Sequence, residues 1–218
     1  MINQLGYSIS KELLTQAQLA LPSIDFKLTI NRPTGNFFYD EWEIKEDFKN
    51  TIWEEILNSL PFAKGEARLI KLVPGQCYWA HADIDDRWHM SIVNEKSYLV
   101  DLTTEKMFST EPGLWYTMNA GRTHSAVNFG GGDRVQLVVR QLLTAGVFDD
   151  AIKITIIAPD VSNARYVFDQ IYSPWLNVVN KLGAIKDFTH DGTRASFILK
   201  KDHVDSLPQD FTIIKELV

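Results

Sequence analysis

The chain has a single cysteine, Cys77, in 218 residues. An intramolecular disulfide and a cysteine-based zinc site are both excluded, and the chain is expected to suit a reducing, cytoplasmic setting. Long apolar runs are also missing. None approaches the ~20 residues needed to cross a bilayer, and Met1 to Ser23 has no basic segment followed by an apolar stretch. Neither a membrane partner nor processing is expected. Positive charge is not in excess either, with 22 Lys and Arg against 28 Asp and Glu and a net charge of -6. That balance argues against a nonspecific binder of phosphate backbones, so no nucleic-acid partner is expected.

What is present is enough apolar residue, 45% of the chain, to bury a sizeable core. Leu13, Leu14, Ala17 and Leu21 recur at helical spacing between a capping Ser10 and Pro22. Asn31 to Asn36 has turn chemistry, and Phe48, Ile52, Trp53, Ile56, Leu57 and Leu60 predict a second helix stopped by Pro61. From Ala67 to about Leu143 the pattern becomes seven short strand-like runs divided by Pro-Gly and Gly-rich turns, as in an antiparallel barrel or double-sheet jelly roll. The Gly130-Gly131-Gly132 run lacks the Gly-Lys-Ser/Thr of a phosphate loop and reads as a hairpin turn. Beyond it, Ile152 to Ile156 alternate as a strand, a helical stretch runs from about Ser162 to Leu182, and Ala195 to Lys200 and Phe211 to Lys215 read as strands. The expected architecture is mainly β with helices: residues 1–148 form a jelly-roll, cupin-like domain with N-terminal helices, and residues 149–218 a small α+β unit.

Two of the five histidines open a His-x-Asp pattern, His81-Ala82-Asp83 and His203-Val204-Asp205. On an extended strand such residues share a face, so an imidazole and a carboxylate can reach one metal ion. Only the first pair has a third candidate, His124, downstream in the β region. Two histidines and one carboxylate leave half of an octahedron open, the donor set that non-haem iron(II) uses. Arg134 follows ten residues after His124 across the glycine hairpin, and a guanidinium inside an apolar barrel calls for an anion. Arg87 and His89 flank Trp88 and form a second cationic or hydrogen-bonding pair beside the metal loop.

The runs LVPGQCYWAHADIDDRWHMSIV and LWYTMNAGRTHSAVNFGGGDRVQLVV, within Leu69 to Val139, resemble the aspartyl/asparaginyl β-hydroxylase group of the iron(II) and 2-oxoglutarate-dependent oxygenases, which includes free proline hydroxylases. The resemblance implies a double-stranded β-helix core, iron(II) at His81, Asp83 and His124, 2-oxoglutarate gripped by Arg134 and supported by Arg87 and His89, and O₂ as oxidant. The substrate it implies is an amino acid, as a small molecule or in a peptide.

Asn128 is a candidate to orient a ligand or cosubstrate, and Trp79 and Trp88 are candidates for contact with substrate. Cys77 is expected to be a buried, inert thiol. A reading of another class stands beside the oxygenase: a non-catalytic cupin-like module that binds a small carboxylate or a partner protein and keeps the ligands only as structure.

Overall fold

In a computed structural model, the described residues are 2–23, 26, 29–144, 146–158, 168–191, 193–209 and 211–217. The chain opens on a strand, β1 (Ile2–Ser8), where the sequence suggests only helices. Its side chains are mostly exposed, so no two-residue alternation marks it; what makes it a strand is its antiparallel pairing along a sheet edge. Ser10 then caps α1 (Lys11–Ala20), its hydroxyl accepting from Leu13 N at 3.1 Å. Asn31–Pro33 (β2) is not a turn but pairs with Trp42–Ile44 (β3). The second helix, α2 (Ile52–Asn58), starts at Thr51, because Asn50 takes a positive φ that breaks the apolar stripe after Phe48.

The central region contains β4 (Lys64–Leu72), β5 (Arg87–Val93), β6 (Ser97–Asp101), β7 (Lys106–Ser109), β8 (Leu114–Met118), β9 (His124–Asn128) and β10 (Arg134–Gln141). One antiparallel sheet has the order β1-β8-β5-β10-β4 and another the order β7-β6-β9. Lone bridges Cys77–Val127 and His81–His124 lay residues 77–81 against the free side of β9. That stretch is extended but is not a regular strand. β7 goes unseen in sequence because its residues are mostly exposed.

The two sheets face each other in a jelly-roll-like arrangement. Leu72, Leu99, Met118 and Ala126, drawn from both, form a core between them. On the outer face of the larger sheet, Leu69, Met90, Leu137 and Val139 pack with Ala17, Trp53 and Ile56 of the two helices. Each Leu, Ile, Val and Met side chain among them contributes roughly 1.5–3 kcal/mol by leaving water. Strand alternation therefore sends Trp88, Met90 and Ile92 toward the helices, and Arg87, His89 and Ser91 into the space between the sheets.

After β10 comes a four-stranded antiparallel sheet, β12-β13-β11-β14, built from β11 (Ala151–Ile157), β12 (Ile185–His190), β13 (Arg194–Lys200) and β14 (Thr212–Leu217). A helix, α3 (Ser173–Lys181), has Pro174 in its first turn, where proline is tolerated, and gives way to Gly183 at φ 61°. Much of the stretch expected to lead into it, residues 159–167, lies outside the described residues; Phe168–Tyr172 form a π-helical turn. This unit has its own core, including Ile154, Leu176 and Phe197, and one visitor: Ile84, from the loop between residues 81 and 87, packs against it. Among the described residues no helix is long and apolar enough to cross a membrane.

Candidate metal centre

His81 and His124 stand opposite one another because their backbones exchange hydrogen bonds, His81 N to His124 O at 3.0 Å and His124 N to His81 O at 2.8 Å. Their rings lie 4.4 Å apart between centroids. Each Nδ1 meets a main-chain carbonyl, Trp79 O at 2.7 Å and Arg122 O at 2.8 Å. A carbonyl only accepts, so Nδ1 is the donor in each ring and Nε2 is the nitrogen turned toward Asp83. Asp83, its N–H bonded to Ala120 O at 2.7 Å, brings Oδ2 to 4.0 Å from His81 Nε2 and 3.6 Å from His124 Nε2. The three side chains are the one group among the described residues whose donor atoms converge as a metal site requires, all within 4.8 Å of one another. The other His-x-Asp pair, at 203–205, lies in a 3₁₀ segment and not on a strand.

Burial alone would raise the Asp83 pKa, but Arg87, His124 and His81 together hold it well below the usual carboxylate range. A carboxylate held ionised beside two imidazole nitrogens is a donor set for a divalent transition metal.

The triad opens into a cavity of about 60 Å³ between the sheets, with space for a few waters. Its walls include Ile70, Leu99, Met118 and Val138. Arg134 enters it from the start of β10, only 3% exposed. Its guanidinium donates to Gln136 Oε1 and has no carboxylate partner among the described residues. Desolvation depresses its pKa to about 10, a sign of a cation with too little around it to balance it. Its neighbour Asp133 turns outward to Lys71, 3.5 Å away.

His89 also lines the cavity and is buried, its Nδ1 3.2 Å from Gln136 Oε1 and its Nε2 without a hydrogen-bond partner among the described residues. Desolvation, with Arg134 close by, pushes its pKa down to about 3. Gln136 is the residue sequence reasoning missed. It accepts from Arg134 and His89 and donates to Ser91 Oγ at 3.0 Å and Thr110 Oγ1 at 2.9 Å, so it orients both cavity-facing groups. Its position two residues after Arg134 on a strand was the available signal.

The remaining candidates separate. Arg87 lines the cavity but is engaged, with Nη2 3.2 Å from Asp83 Oδ1 and 3.1 Å from Asp85 Oδ1. Gly130–Gly132 make a turn that is not the hairpin expected, because β9 and β10 belong to different sheets, and Asn128 braces it, donating to Leu72 O and Gly132 O at 2.9 Å each and accepting from Gly130 N at 2.9 Å. Trp88 is on the far face of β5, stacked on Phe62 at 3.8 Å between centroids. Trp79 is 86% exposed, two residues before His81. Cys77 is exposed, not buried, because the segment carrying it is bridged on one side only.

No protein-family model and no curated protein matches the sequence. Among solved structures, a viral collagen prolyl hydroxylase, vCPH from Paramecium bursaria Chlorella virus-1 in a 2OG complex, is similar with a TM-score of 0.43 and 11% identity, over 65% of this chain and 96% of that chain.

Proposed function

We propose that the protein is an iron(II) and 2-oxoglutarate-dependent oxygenase that hydroxylates an amino acid, free or within a peptide, and that its facing sheets are the double-stranded β-helix of the aspartyl/asparaginyl β-hydroxylase group. The observation that carries the reading is one cavity holding both a His-Asp-His donor set and a buried arginine without a carboxylate partner. A site that only bound a metal would have no use for that arginine.

His81 Nε2, His124 Nε2 and Asp83 Oδ2 would hold iron(II), leaving room for cosubstrate and O₂. When bound, the group supplies the oxidation: 2-oxoglutarate and O₂ are consumed, succinate and CO₂ leave, and the second oxygen atom enters a substrate C–H bond. Arg134 grips the distal carboxylate with its planar fork, and Gln136 fixes the plane of that fork. His89 and Arg87 line the same cavity, and the apolar walls keep bulk water from the reacting carbon. Trp79, exposed beside His81, is the group a substrate side chain would brush on entry.

The test is succinate release by purified protein supplied with iron(II) and 2-oxoglutarate, first alone and then with free amino acids and short peptides. Turnover is expected that stops in His81→Ala and His124→Ala together with metal retention, while Asp83→Ala keeps two imidazoles and holds metal more weakly. Absence of 2-oxoglutarate-dependent succinate from well-folded, metal-loaded protein would overturn the reading.

A further inference from the structure

Behind Asp83 lies a line of alternating charges that the proposed chemistry does not itself require. Arg87 Nη2 bridges Asp83 Oδ1 and Asp85 Oδ1, at 3.2 and 3.1 Å. The other oxygen of Asp85, Oδ2, is ion-paired with Arg140 Nε. Asp85 is 2% exposed, and Arg87 and Arg140 are each 8% exposed. Arg140 is seated in turn by Phe37, whose ring lies 3.9 Å beneath its guanidinium carbon. Arg140 and Arg87 face each other across β10 and β5 as direct register partners. Asp85 therefore sits at the junction of two strands and a loop.

Burying three charges, those of Asp85, Arg87 and Arg140, costs more than an apolar cluster of the same volume would, so the arrangement calls for a use. Its geometry supplies one. Arg87 occupies Oδ1 of Asp83, and the oxygen left over, Oδ2, is the one turned toward both imidazole nitrogens. We propose that Asp85, clamped by Arg140, is a positioning residue: it holds Arg87 on Oδ1 of Asp83 so that Oδ2 stays aimed at the metal position between the two imidazole nitrogens. This rests on the metal reading above and deepens it. Arg87 then acts on the ligand carboxylate, and the anion is left to Arg134 and His89.

The experiment is a Co(II) titration of the full chain, followed by visible absorption, in wild type, Asp85→Asn, Arg140→Met and the double variant, with folding checked by circular dichroism. Both single changes release the clamp, so each weakens Co(II) binding, by about 10- to 100-fold, the range typical of residues that orient metal ligands. The double variant is no worse than Asp85→Asn alone, because the two act in series. A through-space charge effect has another signature: loss of a negative charge at Asp85 weakens cation binding, and loss of a positive one at Arg140 tightens it. Tighter binding in Arg140→Met, or unchanged affinity in both variants, overturns the proposal. If Asp85→Asn does not fold, the sign of the Arg140→Met effect decides, since methionine keeps the packing on Phe37. A wild-type chain that does not bind Co(II) defeats the metal reading itself, a result distinct from any difference among variants.

Discussion

Arg134 carries its charge into a buried cavity and, among the described residues, hydrogen-bonds only an amide oxygen there. In the ligand-free chain it is a burden on stability. Arg134→Met is expected to raise the unfolding free energy by about 1–3 kcal/mol and to abolish 2-oxoglutarate binding, while Arg134→Lys keeps the charge, loses the fork and binds the anion weakly. Denaturant melts and a calorimetric titration measure the two effects, and a destabilised Arg134→Met would mean that the guanidinium is balanced by something other than an incoming anion. His89 gives a dependence on pH. Its pKa is about 3 in the folded chain against the ordinary 6.5. Between those values the unfolded chain binds a proton that the folded chain refuses, so stability falls as the solution is acidified from pH 6.5 toward 3, by at most about 1.4 kcal/mol per pH unit from this group. Urea melts at pH 7, 6 and 5 should show the loss, and His89→Gln should flatten it.

At the scale of elements, the turn that carries the chain from β9 in one sheet to β10 in the other places Arg134 relative to His124, and Asn128 holds it through three hydrogen bonds. Asn128→Ala leaves buried backbone groups unpaired, at a cost of about 1–3 kcal/mol. It should weaken 2-oxoglutarate binding more than metal binding, because Arg134 lies beyond the turn and the triad lies before it; equal losses would point to general loosening. The elements that were legible in sequence are those with a buried alternating face or a capped apolar stripe, such as β5, β10 and α1. Those that were not are edge pieces: β1 and β7 expose most of their side chains, and residues 77–81 are held by isolated bridges. The site divides along the same line. The convergence of His81, Asp83 and His124 could be read from spacing, although Asp83 reaches the site from a loop and not, as spacing suggested, from a strand. The engagement of Arg87 by Asp83 and Asp85 depends on where a loop folds back, and no local pattern encodes that.

Across the whole molecule, the loop that bears Asp83 is held from two sides. Sheet pairing fixes it on one side; on the other, Lys181 Nζ meets Asp86 Oδ2 at 2.9 Å, Asn180 Nδ2 donates to Ile84 O at 3.3 Å, and Gln170 Nε2 donates to Ala80 O at 2.7 Å. Ile84, flanked in sequence by Asp83 and Asp85, is packed against the core of the C-terminal unit. Ile84→Ala should cost about 1–2 kcal/mol, less than for a fully enclosed isoleucine, and should weaken Co(II) binding although no donor atom is touched. The insertion also makes the two halves share one equilibrium. An ion that binds the folded loop and not the unfolded one adds about 2.7 kcal/mol at a hundred times its dissociation constant, and Ile84 passes part of that to strands that hold no ligand. Amide hydrogen exchange in β11 and β13 should slow when Co(II) is added to the His81, Asp83 and His124 site, so the C-terminal sheet would report by mass action on a site it does not line.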